Sequence, residues 1–212
     1  MSFELTKALT PFMTSKNYSE GSVINSDLIK SGQVLLVASG SVLVEYASID
    51  TEKDRRIGVL LTEHKFVGLE YLFGTRRKSQ SQVTAVQEST VLSITISSLR
   101  TLLEGDLFKY KPEVLDAMGQ CMAESMFGLQ YRLESLAVHS HYPKENILSV
   151  LTQLAAKIGI SNGKGGTTVP VKLDTISKLT GLSEESTRRC TSLLVADGRI
   201  AKIGKGNFLV FS

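Results

Sequence analysis

Apolar and polar positions alternate in short runs through the first half of this chain, then recur at helical spacing through the second. Ser22–Asn25, Gln33–Ala38, Gly40–Tyr46, Arg56–Leu61, Ser81–Ala85 and Ser89–Ile94 are runs of four to seven residues, most of them rich in valine, leucine and isoleucine. Glycine, serine and charged residues separate them, and no proline occurs between Pro11 and Pro112. Strands of this length and spacing predict an antiparallel sandwich or small barrel. A short amphipathic helix at residues 4–13 precedes them.

After Pro112 the period changes. Leu115, Met118, Met122, Met126, Leu129, Leu133 and Leu136 recur at steps of three and four, a narrow apolar seam of the kind that pairs helices in coiled coils. The seam is expected to meet a second copy of the chain; packing against the chain's own β part is the alternative. Pro143 marks a boundary, and Glu145–Ile158 reads as a further helix with Ile147, Leu148, Leu151 and Leu154 inward.

The next segment carries the most specific pattern. Leu173, Ile176, Leu179 and Leu182 form one stripe on a short helix, Gly181 can end it in the left-handed conformation, and Ser183 can cap the next helix. On that second helix Leu193 and Leu194 are expected inward, with Glu184, Glu185, Arg188 and Arg189 at its outer start. Ala196–Arg199 then turns, and Ile200–Ile203 and Phe208–Phe211 flank Gly204–Asn207 as a hairpin. Helix, turn, helix and hairpin make a winged helix-turn-helix, whose second helix can enter the major groove of double-stranded DNA. Glu185, Arg188 and Arg189 are the candidate base contacts, with Ser183, Thr187 and Lys205 at phosphates.

Charge agrees with that reading. Residues 1–142 hold 14 Lys+Arg against 16 Asp+Glu, a balance of −2, whereas residues 143–212 hold 10 against 5, a balance of +5. The rival is a ligand-binding or protein-interaction module that has lost specific DNA binding, because Glu184 and Glu185 repel phosphate. Both carboxylates also suit the helix dipole.

Other chemistry finds little support. Cys121 and Cys190 are far apart and lie outside any C-x-x-C pair, His64 is isolated, and His139 and His141 fall at a helix end, so no metal site is expected. The glycine-rich run Gly159–Thr167 precedes the strand Thr168–Val171 rather than following one, so it reads as a loop and not a phosphate cradle. No catalytic constellation is found, and no enzyme is expected. Residues 1–7 lack a signal-peptide pattern and no run of 18 apolar residues occurs, so the expectation is a soluble cytoplasmic protein without a membrane span.

Val37–Val44, Phe66–Phe73, and Leu179–Ser183 with Glu185 and Arg189 resemble corresponding stretches of the Crp/Fnr (catabolite activator) family of bacterial transcription regulators. The resemblance extends over essentially the whole chain. It implies an α+β fold with a cyclic-nucleotide-binding-like β-roll at 1–111, a dimerisation helix and hinge at 112–142, and a winged helix-turn-helix DNA-binding domain at 143–212. It also implies a homodimer, RNA polymerase as a further partner, and an effector pocket at Gly68, Leu69, Glu70 and Tyr71. Two recognition helices would then sit about one DNA turn (roughly 34 Å) apart.

The chain also departs from the family pattern at several positions. Glu184 stands where arginine is frequent, and Arg188 where a small residue is frequent. Leu69 replaces the glutamate that grips ribose, while Ser79 and Gln80 replace the arginine–serine pair that holds the cyclic phosphate. Cyclic AMP is therefore not expected, unless Arg76 or Arg77 takes over; these two and Lys78 read instead as an exposed basic loop. An iron–sulfur cluster is not expected either, since clustered N-terminal cysteines are missing. Gly68–Gly74 and Glu134–Ala137 are loosely similar to the cyanobacterial nitrogen regulator branch. Its 2-oxoglutarate ligand is not carried over, because its arginine ligands have no counterparts here. No cofactor is expected.

Overall fold

Val34, Leu35, Leu36 and Val37 are all wholly buried, so the first half of the protein is organised around a strand covered on both faces. The computed structural model describes residues 3–24, 32–47, 56–69, 82–138, 142–162, 165–204 and 206–211. Helix α1 (Phe3–Leu9) is followed by strands β1 (Thr14–Tyr18), β2 (Val23–Ile24), β3 (Gln33–Ser39), β4 (Ser41–Ala47), β5 (Arg56–Thr62), β6 (Phe66–Val67), β7 (Gln82–Ala85) and β8 (Ser89–Thr95). Helices α2 (Ile96–Glu104), α3 (Lys111–Val138) and α4 (Pro143–Ile158) come next. The chain closes with β9 (Ile160–Ser161), β10 (Gly166–Pro170), α5 (Leu173–Thr180), α6 (Glu184–Ala196), β11 (Ile200–Ile203) and β12 (Asn207–Phe211).

Two compact units result, one of Met1–Tyr46 with Leu60–Phe127, the other of Ala47–Val59 with Gly128–Ser212. Apart from Ala47 of β4 and Arg56–Val59 of β5, the first holds two four-stranded sheets, ordered β1-β8-β3-β6 and β2-β7-β4-β5. Antiparallel pairing sets Val34 opposite Ile94 and Leu36 opposite Leu92. These four pack with Leu5 and Leu9 of α1, Leu99 and Leu103 of α2, and Val114 and Met118 of α3. Leu35 and Val37 alternate to the opposite face, as a pleated strand requires. The expected β-roll is present. Gly40 turns the chain from β3 into β4 at φ +83°, where an added Cβ would lie 2.4 Å from the Glu88 carbonyl oxygen. Only glycine fits that corner.

The second unit holds the third sheet, β11-β12-β10-β9. Ile147, Val150, Leu151 and Leu154 form the buried stripe of α4, and the core also takes in Ile176, Leu179, Cys190, Leu194, Ile200 and Phe208. Asn146 is buried beside that stripe and donates from Nδ2 to the Thr180 carbonyl at 3.3 Å. The expected hairpin and helix-turn-helix are both present. None of the described helices is long and apolar enough to cross a membrane.

Helix α3 corrects one expectation. The leucine and methionine seam suggests a single face, but Met118 is wholly buried in the first unit's core and Met122 packs against it. Val114, Ala117, Met118 and Cys121 are spaced three and four apart and make up the face that α3 gives to its own β part. Counting only leucine and methionine hides this second face. Leu115 and Met126 remain open at 44% and 68% exposure, Phe127 and Tyr131 are exposed beside them, and Leu129 is half-buried. The side chains of Leu133 and Leu136 lie outside the described residues.

Met118→Ala should lower unfolding stability by about 2–5 kcal/mol in denaturant titration. Met126→Ala should leave the stability of the isolated subunit nearly unchanged. Equal small effects would mean that Met118 is not a core residue.

Candidate nucleic-acid interface

Helix α5 ends because Gly181 adopts φ 70°, ψ 12° and its N–H donates to the Ser177 carbonyl at 2.8 Å. The turn beyond it is braced by side chains. The Ser177 hydroxyl donates to the Leu182 carbonyl at 2.7 Å, and the Thr180 hydroxyl donates to the Ile176 carbonyl at 2.8 Å. Ser183 then takes extended geometry, and its Oγ accepts from the Ser186 N–H at 3.2 Å. This is the N-cap expected from the sequence. Ser183 is exposed, so a phosphate could approach it only against a hydroxyl already engaged in the cap.

The buried face of α6 consists of Thr187, Cys190, Thr191 and Leu194. Two expectations are corrected here. Thr187, expected at a phosphate, is wholly buried, and its hydroxyl donates to the Ser183 carbonyl at 2.9 Å. Leu193, expected inward, is 46% exposed, because the buried stripe falls at 187, 190, 191 and 194. The helix ends in paired backbone bonds, Gly198 N–H to the Val195 carbonyl and Arg199 N–H to the Leu194 carbonyl, both at 3.0 Å. That pairing is a Schellman cap. Lys144 of α4 binds Asp197 at 2.8 Å; the hydrogen bond and charge of Asp197 raise the lysine above its ordinary pKa.

The outer face matches expectation in exposure. Glu184, Glu185, Arg188 and Arg189 all face solvent, and among the described residues no ion pair engages them. They stand in two rows at i,i+4 spacing, Glu184 with Arg188 and Glu185 with Arg189. Arg188 borders an open groove of about 570 Å³ between α6 and the hairpin; Glu185 and Arg189 do not. Lys172, just before α5, and Lys202, on β11, line the same groove. Neither lysine stands out in the sequence, because each lies outside the helical pattern that draws attention to the arginines. Lys205, at the hairpin tip, is outside the described residues.

The expected effector pocket is only partly described. Leu69 is buried in the core of the first unit, and Gly68 turns at φ 85°. Glu70, Tyr71 and the stretch from Arg76 to Gln80 lie outside the described residues, as do His139 and His141. Among the described residues no cluster of histidine, cysteine, aspartate and glutamate could hold a metal ion.

No family model and no curated protein matches this sequence. Solved structures do match its fold. The c-di-GMP-responsive global regulator CLP of Xanthomonas campestris superposes with a TM-score of 0.82 at 20% identity, covering 100% of both chains. A cyclic nucleotide-binding domain containing protein from Listeria monocytogenes reaches 0.70 at 18% identity, over 98% of this chain and 96% of that one. A CRP/FNR-family transcriptional regulator from Thermus thermophilus reaches 0.69 at 16% identity, over 94% of each.

The cap carries a stability prediction. Ser183→Ala should destabilise the second unit by about 0.5–2 kcal/mol in denaturant unfolding, while Ser183→Asp should retain most of the stability. Equal losses in the two variants would show that capping is not what Ser183 contributes.

Proposed function

We propose that this chain, which has the Crp/Fnr regulator fold, is a homodimeric, sequence-specific DNA-binding transcription regulator without catalytic activity. The observation that carries the reading is α6 itself, a capped helix with a buried back and an exposed row of Glu185 and Arg189. Arginine can donate two hydrogen bonds to guanine O6 and N7, and glutamate can accept from cytosine N4. The +5 balance of residues 143–212 supplies the general attraction to phosphate.

In this reading residues 1–111 form the sensor, 112–142 the dimerisation helix and hinge, and 143–212 the DNA-binding domain. The open side of α3, with Leu115, Met126, Phe127 and Leu129, is the surface for a second copy. The β-roll either senses a small molecule or only braces the dimer, and a ligand acts only through differential affinity for the DNA-competent arrangement. RNA polymerase is a further partner in this reading if the regulator activates transcription.

The test is selection from a random duplex library near physiological salt, using ligand-free protein. A recovered two-fold motif is the expected result. Because CLP responds to c-di-GMP, that nucleotide is the first effector to add if the ligand-free protein selects nothing. No enrichment in either condition would favour the rival, an interaction module in which Glu184 and Glu185 keep DNA away.

On the recovered site, Arg189→Ala should cost about 1–3 kcal/mol and relax preference at one base pair. A uniform loss over all sequences would make Arg189 a backbone contact. Lys205→Ala should weaken all sequences alike and flatten the salt dependence; an unchanged salt slope would remove Lys205 from the interface. Met126→Glu should convert the dimer to a monomer in sedimentation. A dimer that persists would place the interface elsewhere.

A further inference from the structure

The two adjacent arginines of α6 do not share a neighbourhood. One residue along a helix turns the side chain by about 100°, so Arg188 and Arg189 leave the axis in different directions. Arg189 continues the row begun by Glu185. Arg188 continues a row with Ser192 and Val195, and all three line the groove between α6 and the hairpin. Two more cations reach that groove from separate elements, Lys172 before α5 and Lys202 on β11.

We infer that Lys172, Arg188 and Lys202 form a phosphodiester seat for one DNA strand, and that Arg188 reads the backbone and not a base. The inference rests on the DNA-binding reading of α6 and divides its labour. Three cations from three parts of the chain line the groove, and among the described residues no carboxylate lines it, so these residues present one sign of charge to whatever enters. Among the described residues the Arg188 guanidinium and the Lys202 ammonium have no hydrogen-bond or ion-pair partner. Each is therefore available to an incoming anion without first breaking a bond within the protein.

Geometry selects a strand over a free ion. The groove runs beside the exposed row of Glu185 and Arg189. A helix that inserts that row in the major groove is flanked by a sugar–phosphate backbone on each side, and the groove lies on one of those sides. The apolar floor, with Val195 and Phe208, offers a surface to deoxyribose between successive phosphates. Sequence information then comes from Glu185 and Arg189, while the seat fixes register and supplies salt-dependent affinity.

The test compares Arg188→Ala, Arg188→Lys and Lys202→Ala on the recovered site and on unrelated duplexes, each over a salt series. Circular dichroism checks that the variants remain folded. Arg188→Ala is expected to weaken all duplexes about five- to tenfold near 0.15 M salt and to lower the log–log salt slope by about 0.9. Lys202→Ala should do the same. Arg188→Lys should keep both the affinity and the sequence preference, because a backbone contact needs charge whereas a bidentate base contact needs the guanidinium fork. Relaxed preference at one base pair in Arg188→Ala or Arg188→Lys would overturn the assignment, as would an unchanged salt slope in Arg188→Ala. Wild-type protein that binds no duplex would instead remove the DNA reading itself, a result separable from the failure of the seat alone.

Discussion

The turn from Thr180 to Ser183 is the constraint on which the candidate interface depends. It fixes how α6 leaves α5, and hence which side chains of α6 face outward. Gly181 supplies the left-handed residue, Ser177 holds the Leu182 carbonyl, and Asn146 reaches across from α4 to the Thr180 carbonyl. A buried amide bound to a backbone carbonyl is strongly position-specific, since moving either group strands a polar atom away from water. The two buried threonines of α6 observe the same economy. Thr187 donates to the Ser183 carbonyl and Thr191 to the Thr187 carbonyl, so neither hydroxyl needs an outside partner. With the back of the helix satisfied internally, the outward rows are left to external contacts.

Carboxylates at the head of a DNA-reading helix have a double effect. Glu184 and Glu185 stabilise the helix by facing the positive end of its dipole, yet they repel every phosphate they approach. The repulsion is independent of sequence, whereas the hydrogen bond a glutamate accepts from cytosine is not. If α6 reads DNA as proposed, acidic residues beside the arginines would lower affinity for wrong sites more than for the right one, raising specificity at some cost in strength. In the proposed arrangement, cations set to one side of the reading row would restore the lost attraction without adding base contacts. Lys172, Arg188 and Lys202 lie on that side.

The sequence makes the larger architecture legible because the period of apolar residues differs sharply between its halves. The expected strands appear wherever they are described. Strand β1 gives no such signal, because Thr14–Asn17 is exposed along its length and carries no alternation; it is held by pairing with β8, a property of the partner and not of the segment. Helix α2 is hidden because it follows directly on β8, although Thr95 caps it by accepting from the Ser98 N–H. In the candidate site the cap, the glycine turn and the exposed charges can be read directly. The burial of Thr187 and the exposure of Leu193 cannot, since both depend on which side of α6 meets α4 and the hairpin. Lys172 and Lys202 join Arg188 only in three dimensions, where the chain folds back at the hairpin.

Helix α3 shows why a single apolar stripe is an incomplete description of a long helix. Its first half has one packed face and one open one. Val114, Ala117, Met118 and Cys121 close the core beneath β3 and β8, while Leu115 leaves that core on the adjacent side and stays open. The second face continues through Met126 and Phe127, beyond Cys121 and Met122, the last residues of the helix in the first unit's core. An apolar row that begins beside a filled core and runs on uncovered is costly to leave in water, and the cost grows with each residue of exposed hydrocarbon. A second copy presenting the same row would cover both at once, since a two-fold axis matches a surface to itself. The helix that would join two copies is thus the one whose other face is fixed to the β-roll. A change in how that roll packs against Val114 and Met118 would be felt along the open row, with no further moving part required.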